Sequence, residues 1–238
     1  MKRSLINSTI KKFENLLKEY RFALPPYLSF TPEEWESKGH EYDEIRDVEL
    51  GWDVTDYGEG HFDTLGLSLI TIRNGKFGDP KYPKTYAEKI MMCDSGQISP
   101  MHYHVNKRED IINRGGNDVE FVFYNCDKSK VHRTAENGDV FEKDLVNDVL
   151  IYRDGRQYYV KAGEPIRIHN GESITLVPYQ YHKFSIPEGG PALIGEVSMM
   201  NDDHTDNYFY EPLGRFPTIE EDEPPYRLLC TEYPPAKD

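Results

Sequence analysis

Cysteine is scarce in this chain: Cys93, Cys126 and Cys230 are the only three in 238 residues, and no two stand at a CxxC spacing. An odd, widely separated set argues against both a disulfide framework and a thiolate zinc site, so the three read as reduced, buried thiols. Basic charge is also short. With 28 Lys and Arg against 42 Asp and Glu, the net charge is −14, and long-range attraction to nucleic acid or anionic lipid is not expected. No apolar run approaches the roughly 20 residues that a membrane span requires. The N-terminal MKRSLINSTIKKFENLL carries Lys11, Lys12 and Glu14 where a signal peptide would have its apolar segment. The cytoplasm is the expected location, with neither a nucleic acid nor a membrane as partner.

What is present describes a folded protein. Hydrophobic residues make up 37% and aromatics 13%, including 17 tyrosines, well away from a disordered composition. The length suits one domain over residues 1–238. Leu5, Ile6, Ile10, Phe13, Leu16, Leu17 and Tyr20 recur at three- and four-residue intervals, which predicts an amphipathic helix from about 4 to 21, closed off by Pro25 and Pro26. In "TPEEW", Thr31 suits a helix N-cap, Pro32 the first helical position and Glu34 the return partner of a capping box. Residues 1–50 are thus expected to form a helical extension.

From about Trp52 the pattern changes to short runs of Val, Ile, Tyr, Phe and Leu, broken at Asn74-Gly75, Asn137-Gly138, Asp154-Gly155 and Asn170-Gly171. "VLIYRDGRQYYV" reads as a hairpin around a type I′ turn at Asp154-Gly155. Strands at this spacing predict an all-β antiparallel barrel or sandwich over about 51–200. The stretch 201–238 is too irregular for a domain of its own and is expected to wrap the barrel, with "EEDEPP" as a solvated acidic tail.

Chemistry concentrates in "GQISPMHYHVNKREDIINRGG", Gly96 to Gly116. If His102, His104 and Glu109 lie on a hairpin, the two histidines share a strand face and Glu109 returns beside them after the turn through "VNKR". His182, in the strand-like run "NGESITLVPYQYHKFSI", is the candidate fourth ligand. Three imidazoles, a carboxylate and no sulfur suit manganese(II), iron(II), cobalt, nickel or zinc, and the carboxylate with an octahedral preference favours manganese.

The spacing of Gly96, His102, His104, Glu109 and Gly116 matches the first cupin motif at every defined position. The second motif is partial. Gly171 and His182 stand eleven residues apart as expected, but Pro178 sits one place late, Gln180 replaces a glycine and Ile186 an asparagine. Beyond the motif, "LGWDVTDYG", "YAEKIM", "MHYHVNKREDIINRGG", "GEVSMMNDD" and "DEPPYRLLCTEY" together resemble the D-lyxose ketol-isomerase family over nearly the whole chain. The resemblance implies a jelly-roll-like cupin barrel with the N-terminal helices packed outside. It also implies a manganese-assisted interconversion of D-lyxose and D-xylulose and of D-mannose and D-fructose, and a homodimer paired through strand edges.

Two residues are expected to carry catalysis. Lys107, two before Glu109, shares its side of the strand and, beside a divalent cation, would lose its proton more readily. Glu211, in "YFYEPLGRF", is an acid among aromatics, where burial would raise its pKa towards that of a useful base. Lys89, Glu196 and Asp202 are the expected sugar-binding residues. Two other readings compete: an iron(II) dioxygenase, which needs an apolar pocket, and a non-catalytic sugar-binding cupin.

Overall fold

A computed structural model describes residues 1–238. Helix α1 spans Arg3–Glu19, and its periodic stripe of Ile6, Ile10, Phe13, Leu16 and Leu17 is buried. It ends where Arg21 turns left-handed at φ 54°. A short α2, Pro32–Trp35, carries the expected capping box. Thr31 Oγ1 accepts from Glu34 N at 3.2 Å, and Glu34 Oε2 accepts from Thr31 N at 2.7 Å. Helix α3, Asp43–Asp47, completes the helical N-terminal part.

The strands are β1 (Gly51–Thr55), β2 (Leu67–Arg73), β3 (Tyr86–Cys93), β4 (Ile98–Tyr103), β5 (Glu109–Gly116), β6 (Val119–Ala135) and β7 (Gly138–Asp144). They continue with β8 (Val149–Arg153), β9 (Arg156–Val160), β10 (Ile166–Ile168), β11 (Ser173–Leu176), β12 (Gln180–Ser185), β13 (Ala192–Met199) and β14 (Tyr208–Phe209). One antiparallel sheet has the order β1-β2-β3-β13-β5-β11-β8-β9 and the other β10-β6-β12-β4-β14, with β7 paired to β6. The chain crosses between sheets repeatedly, from β4 to β5 and from β12 to β13, so the two curl around a shared interior as in a cupin.

The larger sheet is apolar on both faces. Leu69, Met91 and Ile194 join Phe121, Phe123 and Phe184 of the opposite sheet in the barrel core. Their chain neighbours Ile70, Met92 and Leu193 point the other way and pack under Ile6, Ile10 and Phe13 of α1. This two-sided burial explains the nearly continuous apolar runs of β2, β3 and β13.

The Asp154-Gly155 hairpin forms as expected: Arg153 pairs with Arg156, and the turn residues take φ 49° and 76°. At Asn137-Gly138 the turn lies one residue earlier, because Ala135 pairs directly with Gly138 and leaves Glu136 and Asn137 as the loop. Cys93 and Cys230 are buried, but Cys126 is only half-buried.

The acidic C-terminal stretch, Glu220 to Glu223, is solvent-exposed as expected, but it is pinned to the N-terminal helix. Arg3, 2% exposed, pairs with Glu221 at 2.6 Å and with Glu232. Asp222 accepts the Ser4 N–H at 2.8 Å, and Glu223 accepts from Asn7 Nδ2 at 2.6 Å. These acids gather at the N-terminus of α1, where free N–H groups and the positive end of the helix dipole favour anions. Sequence separation of more than 200 residues hides that pairing in the linear chain.

Candidate active site

The histidines assemble on the smaller sheet. His102 on β4 lies directly opposite His182 on β12, and their Nε2 atoms are 3.2 Å apart. His104 follows two residues on, facing the same way. Glu109 does not return on a hairpin beside them, as the sequence suggested. Residues 104–108 instead cross from one sheet to the other, and Glu109, first residue of β5, faces the histidines across the interior. Its Oε1 is 3.2 Å from His104 Nε2 and 3.7 Å from His182 Nε2.

Each imidazole is locked by its other nitrogen. His102 Nδ1 lies 2.8 Å from the Pro100 carbonyl, His104 Nδ1 2.7 Å from that of Asp206, and His182 Nδ1 3.0 Å from that of Gln180. A carbonyl only accepts, so each Nδ1 carries the proton and each Nε2 presents a bare lone pair. Burial, with the other two histidines close by, holds His102 well below the usual imidazole range; burial and His104 push His182 down to about 3. Three ring nitrogens lie within 4.8 Å of one another beside a carboxylate, and the buried His104 Nε2 meets no hydrogen-bond donor. Lone pairs turned on lone pairs repel unless a cation sits among them, and Nδ1–H bonded to a carbonyl is the arrangement that orients histidine for a metal. The donor set fits one.

Lys107 lies 2.5 Å from Glu109 Oε2 and 3.2 Å from Glu196 Oε1, with all three side chains buried. Burial alone would lower its pKa, but Glu109, Glu196 and Asp203 outweigh this and raise it above the ordinary lysine range. Lys107 is thus a cation held between two carboxylates; a divalent cation among the histidines would act in the opposite direction, favouring loss of its proton. Burial would raise the Glu109 carboxyl, yet the Lys107 cation beside it brings it well below the usual carboxylate range. Glu196 also accepts from Ser198 Oγ at 3.0 Å. Lys89, on β3 opposite Glu196 on β13, reaches Asp203 at 3.3 Å. Asp203 in turn binds Arg215 at 2.9 Å, and Arg215 binds Asp53 at 2.5 Å. Lys89, Lys107, Glu109, Glu196, Asp203, Arg215 and the histidines line one cavity, whose remaining wall includes Tyr57, Leu69, Met91, Ile111 and Phe209.

Of the residues expected from sequence, His102, His104, Glu109, His182, Lys107, Lys89 and Glu196 converge on this cavity. Asp202 and Glu211 do not. Asp202 is exposed and spends its carboxylate on its own turn, accepting from His204 N and Thr205 N at 3.0 Å each. The cavity residue is its neighbour Asp203, in the turn that Asp202 opens. Glu211 is exposed because the chain leaves the sheet after Phe209, and no burial acts on its carboxyl. Arg215 and Asp206 carried no sequence signal of their own.

Asp206 ties the crossing loop. Its carboxylate accepts from the backbone N–H of Val105, Asn106 and Lys107 at 2.9, 3.1 and 2.9 Å, while its carbonyl holds His104 Nδ1. Asp206→Ala strands these N–H groups, and the expected cost is about 3 kcal/mol in urea unfolding with metal affinity weakened about 10- to 100-fold. Asp206→Asn keeps one acceptor and should lose less. An alanine variant with unchanged unfolding midpoint and metal affinity would show that the loop holds itself.

A metal-ready histidine cluster opposed by buried carboxylates and cations thus occurs here inside two curled antiparallel sheets. The L-ribose isomerase of Acinetobacter sp. DL28 superposes with a TM-score of 0.58 over 92% of this chain and 98% of its own, at 15% identity. That of Geodermatophilus obscurus also gives 0.58, over the same shares, at 16% identity. Such identities speak for the fold alone. In sequence, the chain is 42% identical over 236 residues to a D-lyxose/D-mannose isomerase of Serratia proteamaculans, covering 98% of both. A counterpart from Escherichia coli O157:H7 is 41% identical over 235 residues, again covering 98% of both. The D-lyxose isomerase profile matches residues 1–233. With fold, donor set and whole-length similarity in agreement, the chain belongs to the D-lyxose isomerase family and is an aldose–ketose isomerase.

Proposed function

We propose that the protein interconverts D-lyxose and D-xylulose, and D-mannose and D-fructose, with manganese(II) held by His102, His104, His182 and Glu109. The observation that carries this reading is the buried Glu109–Lys107–Glu196 series sharing a cavity with three converging Nε2 lone pairs. Imidazole and carboxylate donors without thiolate favour manganese among the divalent metals available to such a site. Bound there, the ion would supply a Lewis acid for the carbonyl oxygen and the adjacent hydroxyl oxygen of the open-chain sugar.

The protein's own groups do the rest. Glu196 is the carboxylate that takes the proton from C2 of the aldose and returns it to C1, while the hydroxyl proton passes from O2 to O1. Lys107, kept charged by its two carboxylates, stabilises the negative charge that builds on the oxygens between those transfers. Lys89 and Asp203 bind hydroxyls farther along the sugar. The charged wall of Lys89, Lys107, Glu196, Asp203 and Arg215 suits a polyol and disfavours the apolar substrate a dioxygenase would need. We read residues 1–238 as one cytoplasmic folding unit that pairs as a homodimer through β9, an edge strand of the larger sheet with Tyr159 exposed.

The deciding assay uses protein stripped with chelator and then given manganese. Ketose should form from D-lyxose and from D-mannose only after metal is restored. Absence of metal-dependent xylulose and fructose would sink the reading.

A further inference from the structure

Two arginines in this molecule, the buried Arg3 and the half-buried Arg215, are used differently. Arg3 directs Nε, Nη1 and Nη2 to Glu221 and Glu232, so its whole guanidinium serves the fold. Arg215 brings two carboxylates, Asp53 and Asp203, to the single nitrogen Nη2. Its Nη1 is buried and has no acceptor at all. An ion pair built only for stability takes the bidentate fork that the guanidinium offers; leaving a buried N–H donor unpaired costs free energy. Arg215 nevertheless lines the cavity together with the histidines.

Its place in the ion-pair chain says which part of a ligand it meets. From the histidines the sequence of contacts runs through Glu109 and Lys107 to Glu196. Lys89 stands opposite Glu196 on the next strand and leads to Asp203 and then Arg215. Arg215 is thus the last link of that series counted from the metal ligands. It also borders a neighbouring recess formed with Arg133, Asn137, Thr205 and Leu213, which shares Asp203, Asn207 and Phe209 with the cavity.

We propose that Arg215 is a specificity-determining residue whose Nη1 donates to the terminal hydroxyl of the sugar, the end remote from the reacting carbons. This rests on the isomerase reading above, in which C1 and C2 lie at the histidines and Lys107. Asp53 and Asp203 hold the guanidinium by one nitrogen and leave the other for substrate. A sugar hydroxyl supplies the missing acceptor, and an analogue lacking it leaves the donor unpaired.

The test compares D-lyxose with 5-deoxy-D-lyxose, using manganese-loaded wild type and Arg215→Lys. Lysine keeps a cation for Asp53 and Asp203 but removes the second nitrogen. Wild type should prefer D-lyxose by about ten- to a hundredfold in kcat/KM. R215K should lose a similar factor on D-lyxose, chiefly through KM, and treat the two sugars almost alike. Should R215K not accumulate folded, Arg215→Gln combined with Asp53→Asn removes the guanidinium with one of its carboxylates, and the same comparison decides. Undiminished preference for D-lyxose in either variant, or equal losses on both sugars, overturns the proposal. A wild type that forms no xylulose at all withdraws the isomerase reading itself, and the role of Arg215 with it.

Discussion

His104→Ala is expected to abolish stoichiometric metal binding and to lower kcat/KM by at least about a thousandfold. Substitutions that only orient a ligand typically cost 10- to 100-fold, and loss of the ligand itself should exceed that. The reasoning is electrostatic. His102, His104 and His182 hold their Nδ1 protons on backbone carbonyls, so three lone pairs and the Glu109 carboxylate converge with no proton among them. Only a cation makes that convergence favourable. Removing His104 leaves His102 and His182 on adjacent strands and takes away the histidine nearest to Glu109 across the interior. Metal content after dialysis and ketose formation are the measurements. A variant that retains one equivalent of metal would place the site elsewhere.

Glu196→Gln should lower kcat by about a thousandfold while leaving metal content intact, within the usual range for loss of a general base. Glutamine preserves the acceptor oxygen that meets Lys107 and Ser198, but its amide cannot take up a proton from carbon. Glu211→Gln is the informative control. Glu211 was the expected base from sequence, yet it is exposed beyond the end of β14, and its variant should keep near-normal rates. Rates that fall with Glu211 and persist with Glu196 would reverse the assignment. Both variants need the same metal analysis, so that a lost ligand is not mistaken for a lost base.

Much of this protein is legible in the linear chain, for reasons of range. The capping box at Thr31 and Glu34 and the turn at Asp154-Gly155 are local, and both form as their residues dictate. The glycine and histidine spacing around His102, His104 and Glu109 is local too, and the side chains meet. Errors of phase are also local in origin. In the turn after β13 the exposed Asp202 stands directly before the half-buried Asp203 that lines the cavity, and no periodic neighbour in that loop distinguishes them.

What the sequence determined by itself is the donor chemistry, the all-β character and the family likeness, because each rests on residue types at short spacing. Tertiary structure alone decided three things. It set Glu109 opposite the histidines rather than beside them, since the crossing from β4 to β5 joins two sheets. It made Lys107 a fixed cation, through Glu196 lying 89 residues away. It gathered Asp53, Asp203 and Arg215 into one cluster from positions up to 162 residues apart. Ion pairs of that range carry no periodicity and follow only from the closure of the barrel, where low dielectric makes an unpaired charge too costly to leave alone.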